Sequence, residues 1–89
     1  MKIYIKYNHP ILKKIIKKAD DELTVKEGAM IKDLLTLIQD TYKLKNLLFD
    51  SNFKNLKVSI LLNGFSIDNL STKLKNNDKV NFLYLTTGG

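Results

Sequence analysis

Cysteine is absent from the 89 residues, which removes thiol catalysis, disulfides and cysteine-based metal sites together. A single histidine, His9, leaves no imidazole cluster for a metal. It is expected at the surface, outside any site. Any sulfur chemistry must therefore bring its sulfur from elsewhere. Arginine is absent too, since all 15 basic residues are lysine. Arginine is the side chain suited to bidentate phosphate and base-edge recognition, so nucleic acid is not the expected partner in spite of a net charge of +6. The lysines read as a solvated surface, or as steering toward an acidic protein. No apolar run reaches the length of a membrane span. The first residues show a strand pattern and no signal-peptide core. The expectation is one small domain in the cytoplasm, with no membrane partner.

What is present alternates between the two regular periods. In Lys2 to Asn8, Ile3, Ile5 and Tyr7 point one way while Lys2, Tyr4, Lys6 and Asn8 point the other, a half-buried strand. His9-Pro10 breaks it. Ile11, Leu12, Ile15 and Ile16 then form the apolar stripe of a short helix faced by Lys13, Lys14, Lys17 and Lys18, with Pro10 in the first turn. Ala19-Asp20-Asp21 reads as a turn and Glu22 to Lys26 as a strand antiparallel to the first, closed by Glu27-Gly28. Ile31, Leu34, Leu35, Ile38 and Tyr42 predict the main helix. Met30 at its N-cap lacks the oxygen of a Ser or Thr, a loss of about 1 kcal/mol, and Asp33 recovers a little through the helix dipole.

Lys43 to Leu56 is a long connection laying Leu47, Leu48, Phe49, Phe53 and Leu56 over a core edge. Val58, Ile60 and Leu62 share one face of the next strand, and Asn63-Gly64 turns it into a short return strand, Phe65 to Ile67. Leu70 and Leu74 suggest a single helical turn within Asp68 to Lys75, Asn76-Asn77-Asp78 a turn, and Lys79 to Leu85 the last strand. With the last strand returning through the middle beside the first, this order is an α+β plan: a mixed four- to five-stranded sheet with one main helix on one face, the β-grasp. Residues 1–85 would form that domain and residues 86–89, Thr86-Thr87-Gly88-Gly89, a flexible tail.

A Gly-Gly tail can thread a channel that any side chain would block, and it leaves the terminal carboxylate bare for adenylation and transfer to a nucleophile. Alone it reads equally as a frayed end. The context resembles the ubiquitin-like sulfur carriers of the MoaD type and their kin, the archaeal small ubiquitin-like modifiers. Lys26-Glu27-Gly28-Ala29 before Ile31, Leu34 and Leu35 resembles the start of that family's main helix, and Leu48-Phe49-Asp50 the connection of its longer members. Leu62-Asn63-Gly64 resembles its hairpin, and Leu70 to Lys75 followed by Asp78-Lys79-Val80 its last turn. Gly89 lies nine residues beyond Val80, the family's spacing. The chain departs in Tyr84-Leu85-Thr86-Thr87, where the family usually carries prolines, in Asn77 for a turn glycine and in Met30 for a capping threonine.

The resemblance implies a ubiquitin-like β-grasp and a carrier that is not itself an enzyme and binds no cofactor. Its Gly89 would be adenylated by an ATP-using, ubiquitin-activating-like adenylyltransferase of the MoeB type and converted to a thiocarboxylate. The sulfur would pass, with a molybdopterin synthase large subunit, into molybdenum cofactor. Gly88 would permit passage into the partner. The alternative it implies is conjugation of Gly89 to lysines of target proteins; a third reading is an interaction module whose Gly-Gly is incidental. Docking is expected on the sheet face away from the helix. By strand parity that face carries Tyr4, Lys6, Ser59, Leu61, Asn81 and Leu83, with Tyr4, Leu61 and Leu83 as an apolar patch unless Phe49 and Phe53 cover it.

Overall fold

A computed structural model describes residues 1–49 and 56–84. In chain order they form β1 (Lys2–Asn8), α1 (Pro10–Ile16), β2 (Asp20–Thr24), α2 (Ile31–Tyr42), β3 (Ser59–Leu62), β4 (Phe65–Ile67) and β5 (Lys79–Leu83). The strands make one five-stranded sheet in the order β2-β1-β5-β3-β4. β5 sits between β1, to which it is parallel, and β3, to which it is antiparallel. This is the mixed sheet of a ubiquitin-like β-grasp. The period-two pattern of β1 becomes strict alternation of exposed and buried side chains, and Ile31, Leu34, Leu35 and Ile38 of α2 are fully buried against the same core as Ile3, Ile60 and Phe82.

Two local expectations give way to hydrogen bonding. Asp20 and Asp21 belong to β2 and not to a turn, because β1 extends far enough to pair with them, Ile5 with Asp21 and Lys6 with Asp20. Asp68 to Lys75 is not helical. It runs as turns and a bridge from Lys73 to Met30. Its carbonyls are used elsewhere: the N–H of Ile31 donates to Thr72 O and that of Lys32 to Leu70 O, both at 2.9 Å. The segment thus supplies acceptors for the first N–H groups of α2, which a helix leaves without internal partners. The Asp33 carboxylate also accepts the Met30 N–H at 2.8 Å, a direct bond where only a dipole effect was expected. The cap that Met30 fails to provide is made good by a distant stretch of chain.

The long connection is pinned from α2. Buried Gln39 accepts the Leu48 N–H on Oε1 at 2.9 Å, while its backbone carbonyl accepts the Leu44 N–H at 2.9 Å. Leu44, Leu48 and Phe49 enter the core; Leu47 stays exposed. A second polar cluster joins the segment after α1 to β2 and to the end of α2. Tyr7 and Tyr42 both donate to Asp21 Oδ2, and Lys18 lies 3.6 Å from Asp21 Oδ1. Burial opposes the Asp21 charge, but bonds from Tyr42, the Glu22 N–H and Tyr7, with the Lys18 charge, outweigh it and hold the carboxyl below its ordinary range. Burial first, then the facing Asp21 carboxylate, pushes the Tyr7 phenol far above its ordinary range.

α1 matches expectation only in part. Pro10 opens it, and Leu12 and Ile16 are buried, but Ile11 and Ile15 are left in solvent. His9 is corrected from surface residue to buried cap, 7% exposed, with Nδ1 accepting the Leu12 N–H at 3.3 Å. The β-region backbone of His9 places its ring over the first turn of α1, and an imidazole nitrogen without a proton is an adequate acceptor there.

Candidate functional site

β5 is the strand that leads to the tail, and its outward side chains are fixed by parity. Val80 and Phe82 enter the core, so Lys79, Asn81 and Leu83 face away from α2. Pairing sets their neighbours. Lys79 lies opposite Tyr4 of β1. Asn81 lies between Lys6 and Leu61, and Leu83 between Asn8 and Ser59. The expected face is therefore present, with Tyr4, Leu61 and Leu83 in successive rows across three strands. Tyr4, 38% exposed, and half-buried Leu61 line a shared concavity with Lys6, Lys79 and Asn81. Leu83 lies one row on, toward the tail, and the Asn8–Asn81 side-chain hydrogen bond at 2.9 Å runs between strands beside it. Leu61 and Leu83 are diagonal neighbours, within reach of one partner side chain.

The concavity ends at the β3–β4 turn. Asn63 and Gly64 hold positive φ, 51° and 89°, the backbone that Asn-Gly takes most readily. Asn63 Oδ1 accepts the Lys79 N–H, and its amide donates to buried Asp78, each at 2.9 Å. Asp78 also accepts the Lys75 N–H at 2.7 Å, closing the turn in which Asn77 has φ 70°. The start of β5 is thereby held to the hairpin. Phe49 does not cover the outer face, because it packs in the core on the opposite side of the sheet. Phe53 lies outside the described residues, as do Leu85, Thr86, Thr87, Gly88 and Gly89 and with them the expected boundary of the tail.

The end of β5 is backed by His9. Tyr84, the last described residue, packs its ring on His9 with centroids 5.0 Å apart and a tilt of 58°. Burial pushes His9 below the ordinary histidine value, partly offset by a backbone hydrogen bond. A neutral ring suits both its contacts: Nδ1 must stay free of a proton to cap α1, and the ring backs an aromatic. The signal in the sequence was its place directly before Pro10, where an N-cap belongs. Among the described residues, no group of three or more His, Cys, Asp or Glu is placed to hold a metal ion, and no helix is long and apolar enough to cross a membrane.

The sequence matches the model of the ThiS family over residues 5–89. The chain belongs to the ThiS family. No curated protein sequence matches it. Among solved structures, this ThiS-family chain is similar to a molybdopterin converting factor subunit 1 from Pyrococcus furiosus, at 23% identity and TM-score 0.80 over 97% of this chain and 99% of that one. It superposes on SAMP1 from Haloferax volcanii with TM-score 0.82 at 17% identity, covering both chains fully. It also matches a chain in the complex of subunits 1 and 2 of molybdopterin-converting factor from Helicobacter pylori, at 27% identity and TM-score 0.66 with both chains covered. These likenesses give the chain the ubiquitin-like β-grasp fold of those proteins.

Proposed function

We propose that this ThiS-family chain carries sulfur as a thiocarboxylate on Gly89 and donates it in molybdenum cofactor synthesis. The observation that carries the reading is the ThiS family match over residues 5–89, which takes in Gly88-Gly89, nine residues beyond Val80 of the central strand. A carboxylate is a poor acyl donor. Adenylation by an ATP-using enzyme of the MoeB type would release pyrophosphate and leave AMP as leaving group. A sulfur nucleophile would then displace AMP and leave the thiocarboxylate. The chain's part is to present the carboxylate: Gly88 admits it to a narrow channel, and the Tyr4–Leu61 concavity with Leu83 gives the partner a surface to grip. A large subunit like the second component of the Helicobacter pylori complex is the partner with which the sulfur would pass to a pterin precursor.

The second reading, conjugation of Gly89 to target lysines, draws support from the fold shared with small archaeal modifier protein 1 of Haloferax volcanii; Thr86-Thr87, which lacks the stiffening of proline, favours neither reading. One experiment separates the two. The chain is incubated with ATP, sulfide and the cognate activating enzyme, and its intact mass is measured. A gain equal to the difference between sulfur and oxygen marks the thiocarboxylate. Covalent higher-mass ladders in cells that vanish when Gly88-Gly89 is deleted mark conjugation. Neither product would overturn both readings and leave an interaction module.

A further inference from the structure

Half of the apolar stripe of α1 is not used by the core. Ile11 and Ile15 are 48% and 44% exposed, and Leu47 and Tyr84 are 40% and 51% exposed. These four are not scattered. Ile11, Leu47 and Tyr84 line one depression together with His9, and Ile15 and Leu47 line the next. The two depressions share Leu47 and Lys57, so the apolar side chains form a continuous strip across α1, the connection after α2 and the root of the tail. Large exposed apolar side chains gathered in one strip mark an interaction site far more often than the same residues dispersed.

Among the described residues, the charged side chains lining the strip are all lysine: Lys57 in both depressions, Lys43 and Lys45 in the second, with no acidic residue in either. Lys43 and Lys45 hold left-handed backbone, φ 54° and 58°. Glycine or asparagine takes that conformation at lower cost. What lysine adds at these two positions is charge beside the strip.

We infer that this strip is a second docking surface, distinct from the outer sheet face, and that it takes an acidic amphipathic segment of a partner protein. The segment's apolar side chains seat among Ile11, Ile15, Leu47 and Tyr84 while its Asp and Glu side chains reach the lysines. Charge decides the occupant. A second copy would set lysine rim against lysine rim on chains of net charge +6. A seven-residue helix offers an anionic membrane little apolar area. Single-stranded RNA would find one exposed aromatic ring here among the described residues, Tyr84, and no arginine in the chain. Tyr84 in the strip follows Leu83 on the outer sheet face, so a partner receiving the tail meets the chain on both sides of the end of β5. Assigning the acidic segment to that tail-handling partner rests on the proposed function; the docking surface itself does not.

The test follows backbone amide resonances of the isotope-labelled full chain. The probe is a synthetic helical peptide with leucines along one face and glutamates along the other, and the control carries lysines in place of the glutamates. Shifts should centre on Ile11, Ile15, Leu47 and Tyr84 with the glutamate peptide only, and should weaken as salt rises. Lys43→Glu, Lys45→Glu and Lys57→Glu combined should weaken binding about tenfold. Ile11→Ser with Ile15→Ser should abolish it while the urea unfolding midpoint stays in place, which separates docking from folding. Shifts centred on Tyr4 and Leu61, or equal binding of the lysine peptide, would overturn the inference. So would a dimer in sedimentation that hides the strip, or tighter binding to phosphatidylserine vesicles or single-stranded RNA. Deleting Gly88-Gly89 should leave peptide binding intact while ending any chemistry at the tail, so the docking surface and the carrier reading can fail independently.

Discussion

At the scale of single residues, His9 shows how a side chain can be placed by what it must not do. Its Nδ1 accepts the Leu12 N–H, and protonation would turn that acceptor into a donor. Its folded pKa lies below the unfolded value, so as pH falls past about 6.5 the unfolded chain takes up the proton first and stability is lost. His9→Ala should cost about 1 kcal/mol in urea unfolding at neutral pH. His9→Asn should keep the cap, and amide exchange at Leu12 should then lose the acid dependence that the native chain shows. Gln39 is the second such residue. Gln39→Leu leaves the buried Leu48 N–H without its acceptor and should cost about 1–3 kcal/mol by urea denaturation. The role of Gln39 was not legible in the sequence, and that of His9 only through its place directly before Pro10. A lone histidine in a lysine-rich stretch and a glutamine in a helix both pass for solvated residues until the fold brings a backbone N–H to them.

At the scale of elements, the outcome depended on whether the determining contacts were local. β1, α2 and the Asn63-Gly64 hairpin form where their own periodicity and turn chemistry place them, since each is specified by residues within one or two turns of itself. The Asp68–Lys75 stretch failed as a helix because its carbonyls are engaged by α2, a partner some forty positions earlier in the chain. This gives a prediction against the usual rule. Met30→Thr supplies the missing capping oxygen, which ordinarily gains about 1 kcal/mol. Here the Ile31 and Lys32 N–H groups already donate to Thr72 and Leu70, and the Asp33 N–H donates to Met30 O at 3.0 Å. The expected change in unfolding free energy is within about 0.5 kcal/mol of zero; a full gain would mean those distant acceptors contribute little. On the outer face, strand parity named the right side chains, but register, which no single strand reveals, put the Lys6–Asn81 row beside Leu61 and set Leu83 one row further on.

At the scale of the whole molecule, titration should bound stability from both sides. Asp21 has its folded pKa below the unfolded value near 3.8, so its contribution is complete above that pH and is lost as pH falls through the folded value. Tyr7 has its folded pKa above the unfolded value of 10.0, so its contribution holds below that pH and fades as pH rises beyond it. Urea midpoints measured against pH should show a plateau from about 6.5 to 10.0, a first loss below it as His9 of the unfolded chain takes up a proton, and a further loss as Asp21 is protonated, which Tyr42→Phe should shrink by removing one donor to Asp21. The parallel pairing of β1 with β5 has a further, mechanical consequence. The chain begins at one end of β1 and leaves β5 at the opposite end, so a pull between Met1 and the tail loads the rungs of that ladder together in shear instead of opening them one at a time. β5 is also paired on its other edge with β3. A machine that hauls on the tail must therefore break the centre of the sheet before any edge, and forced unfolding is governed by that barrier and not by equilibrium stability.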